Sequence, residues 1–365
     1  MKSKFTLFFI TCICFSSFGQ DWVLGPFVKT KENPIMGADS SYTFMCPVRR
    51  EIVKWQKADV FNPAAIVKDN KVYLFTRCED NKNAGLGFRT SRIGLAESTD
   101  GIHFKTFKEP VLYPDSGAFM QYDYPGGCED PRVVETEDRI YVMAYTAWNN
   151  KKPRLSIAFS KDLFHWEKKG PAFARAYEGK FLNNSTKSAS IITKMKNNRP
   201  IVAKINDKYW MYWGEKFVNL AWSENLYDWF PLLDDNGNLK QIIGPRDGMF
   251  DSQLTECGPP ALITDKGILL IYNGKNATND KADSKIPKGM YSVGQVLFSI
   301  DNLEKVIART DTCLLRPTLP HEITGQYAAG TTFAEGLVFF KGKWFLYYGT
   351  ADSFVGLAIC DKKKN

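Results

Sequence analysis

Two adjacent carboxylates, Glu129 and Asp130, lie in the stretch GGCEDPRVVETEDRIYVMAY, which begins at Gly126. Two glycines precede this region, and a Pro-Arg step leads from it into an apolar run typical of a strand. Such a pair can be the charged tip of a solvated turn. It can also supply the acid that protonates a leaving oxygen in a hydrolytic site. The elements that position the pair decide between these interpretations.

One aromatic-rich strand pattern recurs five times along the chain. Its copies are KVYLFTR at Lys71, RIYVMAY at Arg139, KYWMYWG at Lys208, GILLIYNG at Gly267 and KWFLYYG at Lys343. A short apolar run precedes each copy, and a second strand follows it. Repeated units of three to four short antiparallel strands predict an all-β protein folded as a five-bladed β-propeller. Two packed sandwiches are the alternative, but the same order of elements in every copy favours the propeller.

The first strand of a propeller blade lines the central axis, so we expect the residues that enter these strands to converge on one funnel. These residues are Asn62, Glu129, Asp130, Lys187, Ser188, Glu256 and Glu335. So many polar groups form a poor core and suit a polar site. Carboxylates, amides, an arginine and aromatic rings match the needs of a sugar, which offers hydroxyls, apolar ring faces and a glycosidic oxygen to protonate.

The composition argues against several other kinds of function. The net charge is +8, but basic and acidic residues are interleaved without the basic stripe that nucleic acids require. The three histidines are too dispersed for a histidine-rich metal site. The segment DDNGN at Asp234 resembles a calcium-binding loop only weakly, so it is interpreted as a hairpin turn. No metal, cofactor or nucleic-acid partner is predicted. The six cysteines that follow residue 20 lack a C-x-x-C pair, which favours core positions with one or two disulfides permitted.

The N-terminus has the pattern of an export signal. Two lysines precede a run of about ten apolar residues, and Ser17 and Gly19 occupy the small-residue positions of a cleavage site. We therefore predict a signal peptide at 1–19, a single propeller domain at 20–365, and a periplasmic or secreted protein with no membrane span. A lipoprotein would use Cys12 or Cys14, but the residues before them are not the small ones such a site prefers.

An ordered set of motifs from Asn62 to the end of the chain resembles glycoside hydrolase family 130, five-bladed propellers that act on β-mannosides. The motifs are FNPAA, FTR with SRIGLAESTDGIHF, GCEDPRV, GPPALIT with GILLIYNG, YSVGQVLFSIDN and FLYYGTADSFVGLA. The resemblance implies inverting chemistry in which Asp130 is the general acid and passes its proton through a hydroxyl of the mannose ring. Glu129 would then position the sugar.

The same resemblance implies further sugar contacts. Asn62, Arg77 and Asp352 match ligands of the non-reducing mannose, and Tyr291 matches a site tyrosine. Lys187, which enters the funnel, and Glu335 are also interpreted as substrate-binding residues.

Many members of this family are phosphorylases, which need cations around the inorganic phosphate. This chain has Glu256 where phosphorylases carry a lysine, Asn273 where they tend to have a histidine, and Glu215 where they offer an arginine. Carboxylates repel phosphate and supply the base that a water nucleophile lacks. Glu215 and Glu256 are thus both base candidates. The alternatives are a surface salt bridge for Glu215 and a sugar-hydroxyl ligand for Glu256, and Asn273 is interpreted as a substrate contact.

These observations predict an exported, inverting, exo-acting β-mannosidase that hydrolyses β-1,2-linked manno-oligosaccharides from the non-reducing end. The β-1,2 linkage rests on the resemblance to the hydrolytic branch of the family alone. The first alternative is a β-mannoside phosphorylase that gives mannose 1-phosphate. The second is a non-catalytic carbohydrate-binding propeller.

Overall fold

The structure is a computed structural model that describes residues 21–81, 83 and 89–361. The predicted signal peptide and the two cysteines of the lipoprotein alternative lie outside these residues. Within the described part of the chain, no helix is both long enough and apolar enough to cross a membrane.

The described elements are almost all strands. Three short ones come first: β1 (Val28–Lys29), β2 (Phe44–Cys46) and β3 (Glu51–Val53). The first blade has β4 (Asp59–Lys68), β5 (Lys71–Glu79), β6 (Ser91–Ser98) and β7 (Lys105–Thr106). After the short helix α1 (Met120–Asp123), the second blade has β8 (Gly127–Glu135), β9 (Tyr141–Trp148), β10 (Pro153–Ser160) and β11 (Trp166–Pro171).

A 3₁₀ turn at Ala176–Gly179 leads into the third blade, which has β12 (Ala189–Lys196), β13 (Arg199–Val202), β14 (Lys204–Ile205), β15 (Lys208–Trp213), β16 (Val218–Ser223), β17 (Phe230–Pro231) and β18 (Gln241–Ile243). The fourth has β19 (Leu254–Cys257), β20 (Ala261–Thr264), β21 (Gly267–Lys275), β22 (Tyr291–Phe298) and β23 (Val306–Arg309). A second 3₁₀ turn, Pro320–Glu322, precedes the fifth, which has β24 (Thr332–Phe340), β25 (Lys343–Thr350) and β26 (Phe354–Asp361).

The two ends of the described chain meet in the fifth blade. Its sheet has the order β1-β26-β25-β24, with β1 antiparallel to β26 and Val28 opposite Ile359. The core lies between neighbouring blades, as where Val60 and Leu74 of the first blade pack with Val338 and Tyr347 of the fifth. Burial on both faces explains why the aromatic strands are nearly continuous in apolar residues. The predicted five-bladed β-propeller is confirmed.

The six cysteines of the described chain form no disulfides with one another, although the sequence permitted one or two. Five of the six are buried, in agreement with the predicted core positions. Burial raises the pKa of the Cys78 thiol to about 12, which leaves it protonated and unreactive at neutral pH.

The first strands of three blades carry a β-bulge at the level of the predicted funnel. The pairing register shifts at Asn62 in β4, after Glu129 in β8 and at Glu335 in β24. Asn62 and Asp130 have φ values of 48° and 47°, in the left-handed region that asparagine and aspartate tolerate better than most residues. A bulge leaves its extra residue outside the ladder and re-aims its side chain. The bulges therefore position the polar residues that enter the central channel.

Candidate active site

A pocket with a volume of about 100 Å³ lies where the five blades meet. Its lining residues come from every blade: Asn62, Arg77, Asp130, Lys187, Glu256, Tyr291, Tyr327, Thr331, Phe333 and Asp352. The predicted convergence of the strand entries is confirmed for Asn62, Asp130, Lys187 and Glu256. Seven of the eleven residues singled out as site residues line this one pocket, although the roles given to them remain predictions.

One half of the site, here called the arginine half, consists of Asn62, Arg77, Asp130 and Asp352. Oδ1 of Asp130 accepts a hydrogen bond from Nδ2 of Asn62 at 2.8 Å and one from Nη1 of Arg77 at 3.2 Å. Asp130 is buried, with 5% of its surface exposed. These two donors fix the carboxylate at the end of the bulge, where a bound sugar can reach it.

Glu129 lies behind the pocket instead of lining it. Nη2 of Arg77 lies 2.8 Å from Oε1 of Glu129 and also 2.8 Å from Oε1 of Glu79, and the Ser91 hydroxyl donates to Glu129 at 3.2 Å. The neighbours in sequence therefore point to different places, because the strand bulges between Glu129 and Arg132. Glu129 thus holds Arg77 in position, and its contact with the sugar stays a prediction.

The adjacent carboxyls have pKa values displaced in opposite directions. Burial raises the pKa of Glu129 to about 7. The charge of Arg77 opposes this rise, and the charge of Asp130 adds to it. Burial acts on Asp130 in the same sense, but Arg77, Lys187 and Arg132 outweigh it and hold that pKa at about 2. Burial also raises the pKa of Asp352 to about 6, although Arg77 opposes the rise. Asp130 is thus the ionised member of the adjacent pair at neutral pH.

The other half of the site, here called the lysine half, consists of Lys187, Glu215 and Glu256. Nζ of Lys187 lies 3.3 Å from Oε1 of Glu215 and 3.4 Å from Oε1 of Glu256. The Ser188 hydroxyl donates to the same Glu256 oxygen at 2.5 Å. Only 1% of the Glu256 side chain is exposed, against 44% of the Glu215 side chain. Glu256 lines the pocket, whereas Glu215 contacts Lys187 from its solvent side.

Burial dominates the electrostatics of this half as well. It raises the pKa of Glu256, an effect that Lys187 opposes and the charge of Glu215 reinforces. Burial alone would lower the pKa of Lys187, but Glu256 and Glu215 outweigh it and raise that pKa well above its ordinary value. Lys187 therefore stays protonated between two carboxylates.

Aromatic rings form one wall of the pocket. The ring centroid of Tyr291 lies 5.4 Å from that of Tyr327 and 5.9 Å from that of Phe333, and Nζ of Lys275 lies 5.0 Å from each tyrosine ring. Lys275 also donates to the Tyr327 hydroxyl. Such a wall offers the apolar ring faces on which a sugar can stack. Sequence reasoning found Tyr291 and missed Tyr327 and Phe333, since the segment GQYAAGTTF lies outside the repeated strand pattern.

Two residues predicted to contact substrate lie behind the pocket surface, which corrects their predicted placement. The Asn273 side chain donates to the Ala334 carbonyl at 3.1 Å and accepts from the Ala334 N–H at 2.8 Å, so both ends of its amide are used by the backbone of the fifth blade. Glu335 is fully buried, with Oε1 2.9 Å from Nη1 of Arg132. The bulge at Glu335 turns this side chain toward Arg132 and away from the channel.

Several known proteins with similar sequences act on mannosides. The family model described as "beta-1,4-mannooligosaccharide phosphorylase" matches residues 29–364. A 1,2-beta-oligomannan phosphorylase from Thermoanaerobacter sp. (strain X514) is 31% identical over 315 residues, covering 85% of this chain and 92% of the relative.

Solved structures of similar proteins superpose over nearly the whole chain. A glycosyl hydrolase from Bacteroides ovatus is 46% identical with a TM-score of 0.92, covering 94% of this chain and 96% of that one. A structure reported for GH130 glycoside hydrolases that target β-1,2 mannosidic linkages in Candida mannan is 48% identical with a TM-score of 0.93, with the same two coverages of 94% and 96%. The predicted family is confirmed: the chain belongs to glycoside hydrolase family 130, the mannoside phosphorylases and hydrolases.

Proposed function

We propose that this protein is an exported, inverting, exo-acting β-mannosidase that releases mannose from the non-reducing end of β-1,2-linked manno-oligosaccharides, with water as the nucleophile. The linkage is taken from the similar structure reported for hydrolases of β-1,2 mannosidic linkages. A pocket of about 100 Å³, as opposed to an open groove, supports attack at a chain end.

The observation that carries the choice of water is the charge of the lysine half. Lys187 contributes one positive charge, and Glu215 and Glu256 contribute two negative charges within 3.4 Å of its Nζ. When all three groups are ionised, the sum is −1. Inorganic phosphate is itself an anion and would meet two buried or half-buried carboxylates there. Water meets no such repulsion and gains a base.

Glu256 is the better candidate for that base. It lines the pocket and is almost wholly buried, whereas Glu215 is half exposed and outside the lining. Burial raises the pKa of Glu256 toward the working range, which makes it a stronger base, while Lys187 limits the rise and favours the ionised form that can accept a proton. Glu215 then has an electrostatic role through Lys187.

In this mechanism Asp130 is the general acid and acts through a hydroxyl of the mannose ring. Asn62 and Arg77 hold its carboxylate, and Arg77 and Asp352 also face the sugar from the arginine half. An acid with a pKa of about 2 must gain its proton in the substrate complex. A mannose ring that removes water from the carboxylate acts in that direction, because desolvation favours the neutral form.

Phosphorolysis is the second candidate, and two observations favour it. Lys187 is a cation within the pocket, and the relative that is 31% identical is a phosphorylase. A phosphorylase would have to bind phosphate at Lys187 in competition with Glu215 and Glu256. The two reactions leave different products, so a single incubation separates them.

The test is to incubate the mature protein with β-1,2-mannobiose, with and without inorganic phosphate, and to quantify mannose and mannose 1-phosphate. We expect two mannose molecules per substrate at a rate independent of phosphate. The Asp130→Asn variant, purified in the same way, controls for contaminating mannosidases. Mannose 1-phosphate that forms only when phosphate is present would overturn the proposal in favour of phosphorolysis. No turnover with measurable binding would favour the carbohydrate-binding propeller.

Export is part of the proposal and is consistent with hydrolysis. Phosphorolysis conserves bond energy in a sugar phosphate that is useful where it can be metabolised at once, inside the cell. Hydrolysis yields a free sugar for transport. Mass spectrometry of the protein from a bacterial periplasmic fraction should find an N-terminus at Gln20. A chain that retains Met1, or one that carries lipid on Cys12 or Cys14, would contradict this part.

A further inference from the structure

Arg132 links the backbone around the two reacting carboxylates. Its Nη1 donates to the Asp130 carbonyl at 2.9 Å, its Nη2 donates to the Cys257 carbonyl at 2.8 Å, and its Nε donates to the Gly258 carbonyl at 3.3 Å. Cys257 directly follows Glu256. One guanidinium therefore joins the backbone of the acid candidate in the second blade to that of the base candidate in the fourth.

We propose that Arg132 is a positioning residue that fixes the separation of Asp130 and Glu256, with Glu335 packed against it as a buried partner. This inference rests on the proposed roles of the two carboxylates. Arg132 itself is 2% exposed, does not line the pocket and makes no contact that a sugar would replace.

The three hydrogen bonds of Arg132 to the carbonyls of Asp130, Cys257 and Gly258 are here called the clamp. The bulge in β8 explains why the backbone at Asp130 needs it. Asp130 stands outside the regular ladder with a φ of 47°, so the ladder itself does not hold its backbone. Arg132 supplies the donor for the Asp130 carbonyl, and a planar guanidinium with several fixed donors suits this task better than a flexible ammonium. Without that donor, a strained and buried segment would lose the bond that defines its position.

The end of the clamp at Gly258 is closely packed. A Cβ placed on Gly258 would lie 2.7 Å from the Ile271 carbonyl oxygen and 3.0 Å from that of Ala334. The chain after Glu256 thus packs directly against the backbones of the fourth and fifth blades. Arg132 holds the acid against this rigid part of the molecule.

Glu335 is the buried acidic partner of Arg132. Its carboxylate lies 2.9 Å from Nη1 of Arg132 at the bulge in β24, and no part of the residue is exposed. Burial raises the pKa of Glu335 well above its ordinary value, although Arg132 opposes the rise. Glu335 therefore packs against the guanidinium without cancelling its charge, and Arg132 still favours the ionised forms of Asp130 and Glu256.

The separation of the two carboxyl groups matters for an inverting hydrolase, because the acid and the base must act on the same sugar from opposite faces with room for a water between base and sugar. A misplacement of about 1 Å from a residue remote from the chemistry can cost on the order of a hundredfold in rate. The clamp therefore has a direct kinetic consequence.

The experiment is Arg132→Lys, which keeps the charge opposite Glu335 but removes the fork that spans three carbonyls. On β-1,2-mannobiose we expect kcat to fall by about a hundredfold with KM changed less than about threefold. On an aryl β-mannoside with a good leaving group, which needs little help from an acid, we expect a loss of less than about tenfold. This difference between substrates is the signature of a displaced acid.

Arg309→Lys is the matched control. Arg309 is a partly buried arginine that also links separate segments, with donors to the Gly244 carbonyl at 2.9 Å and the Tyr272 hydroxyl at 3.0 Å, but it lies outside the pocket lining. We expect a lower Tm with kcat retained. Equal losses of Arg132→Lys on both substrates would show a merely structural role and overturn the proposal, as would an unchanged kcat.

Glu335→Gln provides a second test if Arg132→Lys does not fold, because the amide keeps the shape and one acceptor oxygen. We expect kcat on mannobiose to fall by about tenfold, again with a smaller loss on the aryl mannoside. Full activity would overturn the role of Glu335 as a partner of Arg132. If the wild-type protein instead makes mannose 1-phosphate, the proposed hydrolysis fails, but the leaving-group comparison still tests the positioning of Asp130.

Discussion

The acid candidate of the arginine half and the base candidate of the lysine half have pKa values displaced in opposite directions. In the arginine half, Asp130 receives Asn62 and Arg77 as donors, and three cations together hold its pKa at about 2. In the lysine half, Lys187 is paired with both Glu215 and Glu256, and burial raises the pKa of Glu256. The cations that act on Asp130 outweigh its burial, whereas those that act on Glu256 do not.

This contrast shows that the free protein is not yet arranged for acid catalysis. Asp130, the acid candidate, is ionised. Glu256, the base candidate, binds a proton more tightly than an ordinary glutamate does, because burial raises its pKa. Substrate binding must move the proton balance toward Asp130. In the proposed mechanism the nucleophile approaches from the lysine half, where the charges of Glu215 and Glu256 would repel phosphate.

The largest expected effect is that of Asp130→Asn in the arginine half. Removal of the general acid should lower kcat on β-1,2-mannobiose by at least about a hundredfold, because asparagine cannot deliver a proton. Steady-state kinetics at neutral pH measure this. Asp251→Asn is the matched control, since Asp251 is a fully buried aspartate bound by Arg246 and Arg309 outside the pocket lining. A rate near that of the wild type in Asp130→Asn would remove this residue from the mechanism.

In the lysine half we expect unequal effects of the two glutamates. Glu256→Ala should lower kcat by about a hundredfold or more, and azide should restore the rate on an activated aryl β-mannoside and form an α-mannosyl azide. Glu215→Ala should lose about tenfold or less, without azide rescue, because it acts through Lys187. Rates and products by NMR check both. Rescue of Glu215→Ala but not of Glu256→Ala would exchange the two roles.

The pH dependence of the free energy of unfolding should distinguish Glu129 from Asp130. The folded pKa of Glu129, about 7, lies above the ordinary 4.5 of an unfolded chain, so the folded state binds the proton more tightly. Stability is therefore lost as pH rises from 4.5 to 7, and the cost above pH 7 is on the order of 3 kcal/mol. A glutamine has no such cost.

Glu129→Gln should accordingly gain stability relative to the wild type between pH 5 and pH 8. Urea unfolding at both values measures the difference in free energy. Glu137→Gln is the control, because that glutamate is exposed on the surface. A difference that is constant with pH would contradict a raised pKa of Glu129 in the folded protein.

The smallest effect on catalysis is expected for Asn273. Asn273→Ala leaves the Ala334 N–H and carbonyl without their side-chain partner, which should cost about 1–3 kcal/mol of stability. The KM for mannobiose should change less than about twofold, since the amide does not line the pocket. Urea unfolding and steady-state kinetics check these outcomes. A large rise in KM at unchanged stability would restore the predicted substrate contact.

The sequence predicted the blades well because each repeats one aromatic strand, and it therefore predicted which residues enter the channel. Asn62, Asp130, Lys187 and Glu256 meet as expected. The sequence did not predict where the side chains of Glu129 and Glu335 point. Each orientation depends on a β-bulge, whose extra residue reverses the alternation of side chains along the strand. Asn273 was assigned by position in a motif, and its partner Ala334 belongs to another blade. Tyr327 lies on a loop that has no counterpart in the repeat.

The central claim is that water attacks from the lysine half, opposite an acid in the arginine half. Time-resolved 1H NMR tests it most directly, with the methyl glycoside of β-1,2-mannobiose in phosphate buffer. Because the reducing end is blocked, all free mannose comes from the non-reducing end, and its first anomer can be identified before mutarotation. We predict α-mannose as the first product, with no signal from mannose 1-phosphate. β-Mannose as the first product, or α-mannose 1-phosphate, would contradict the account.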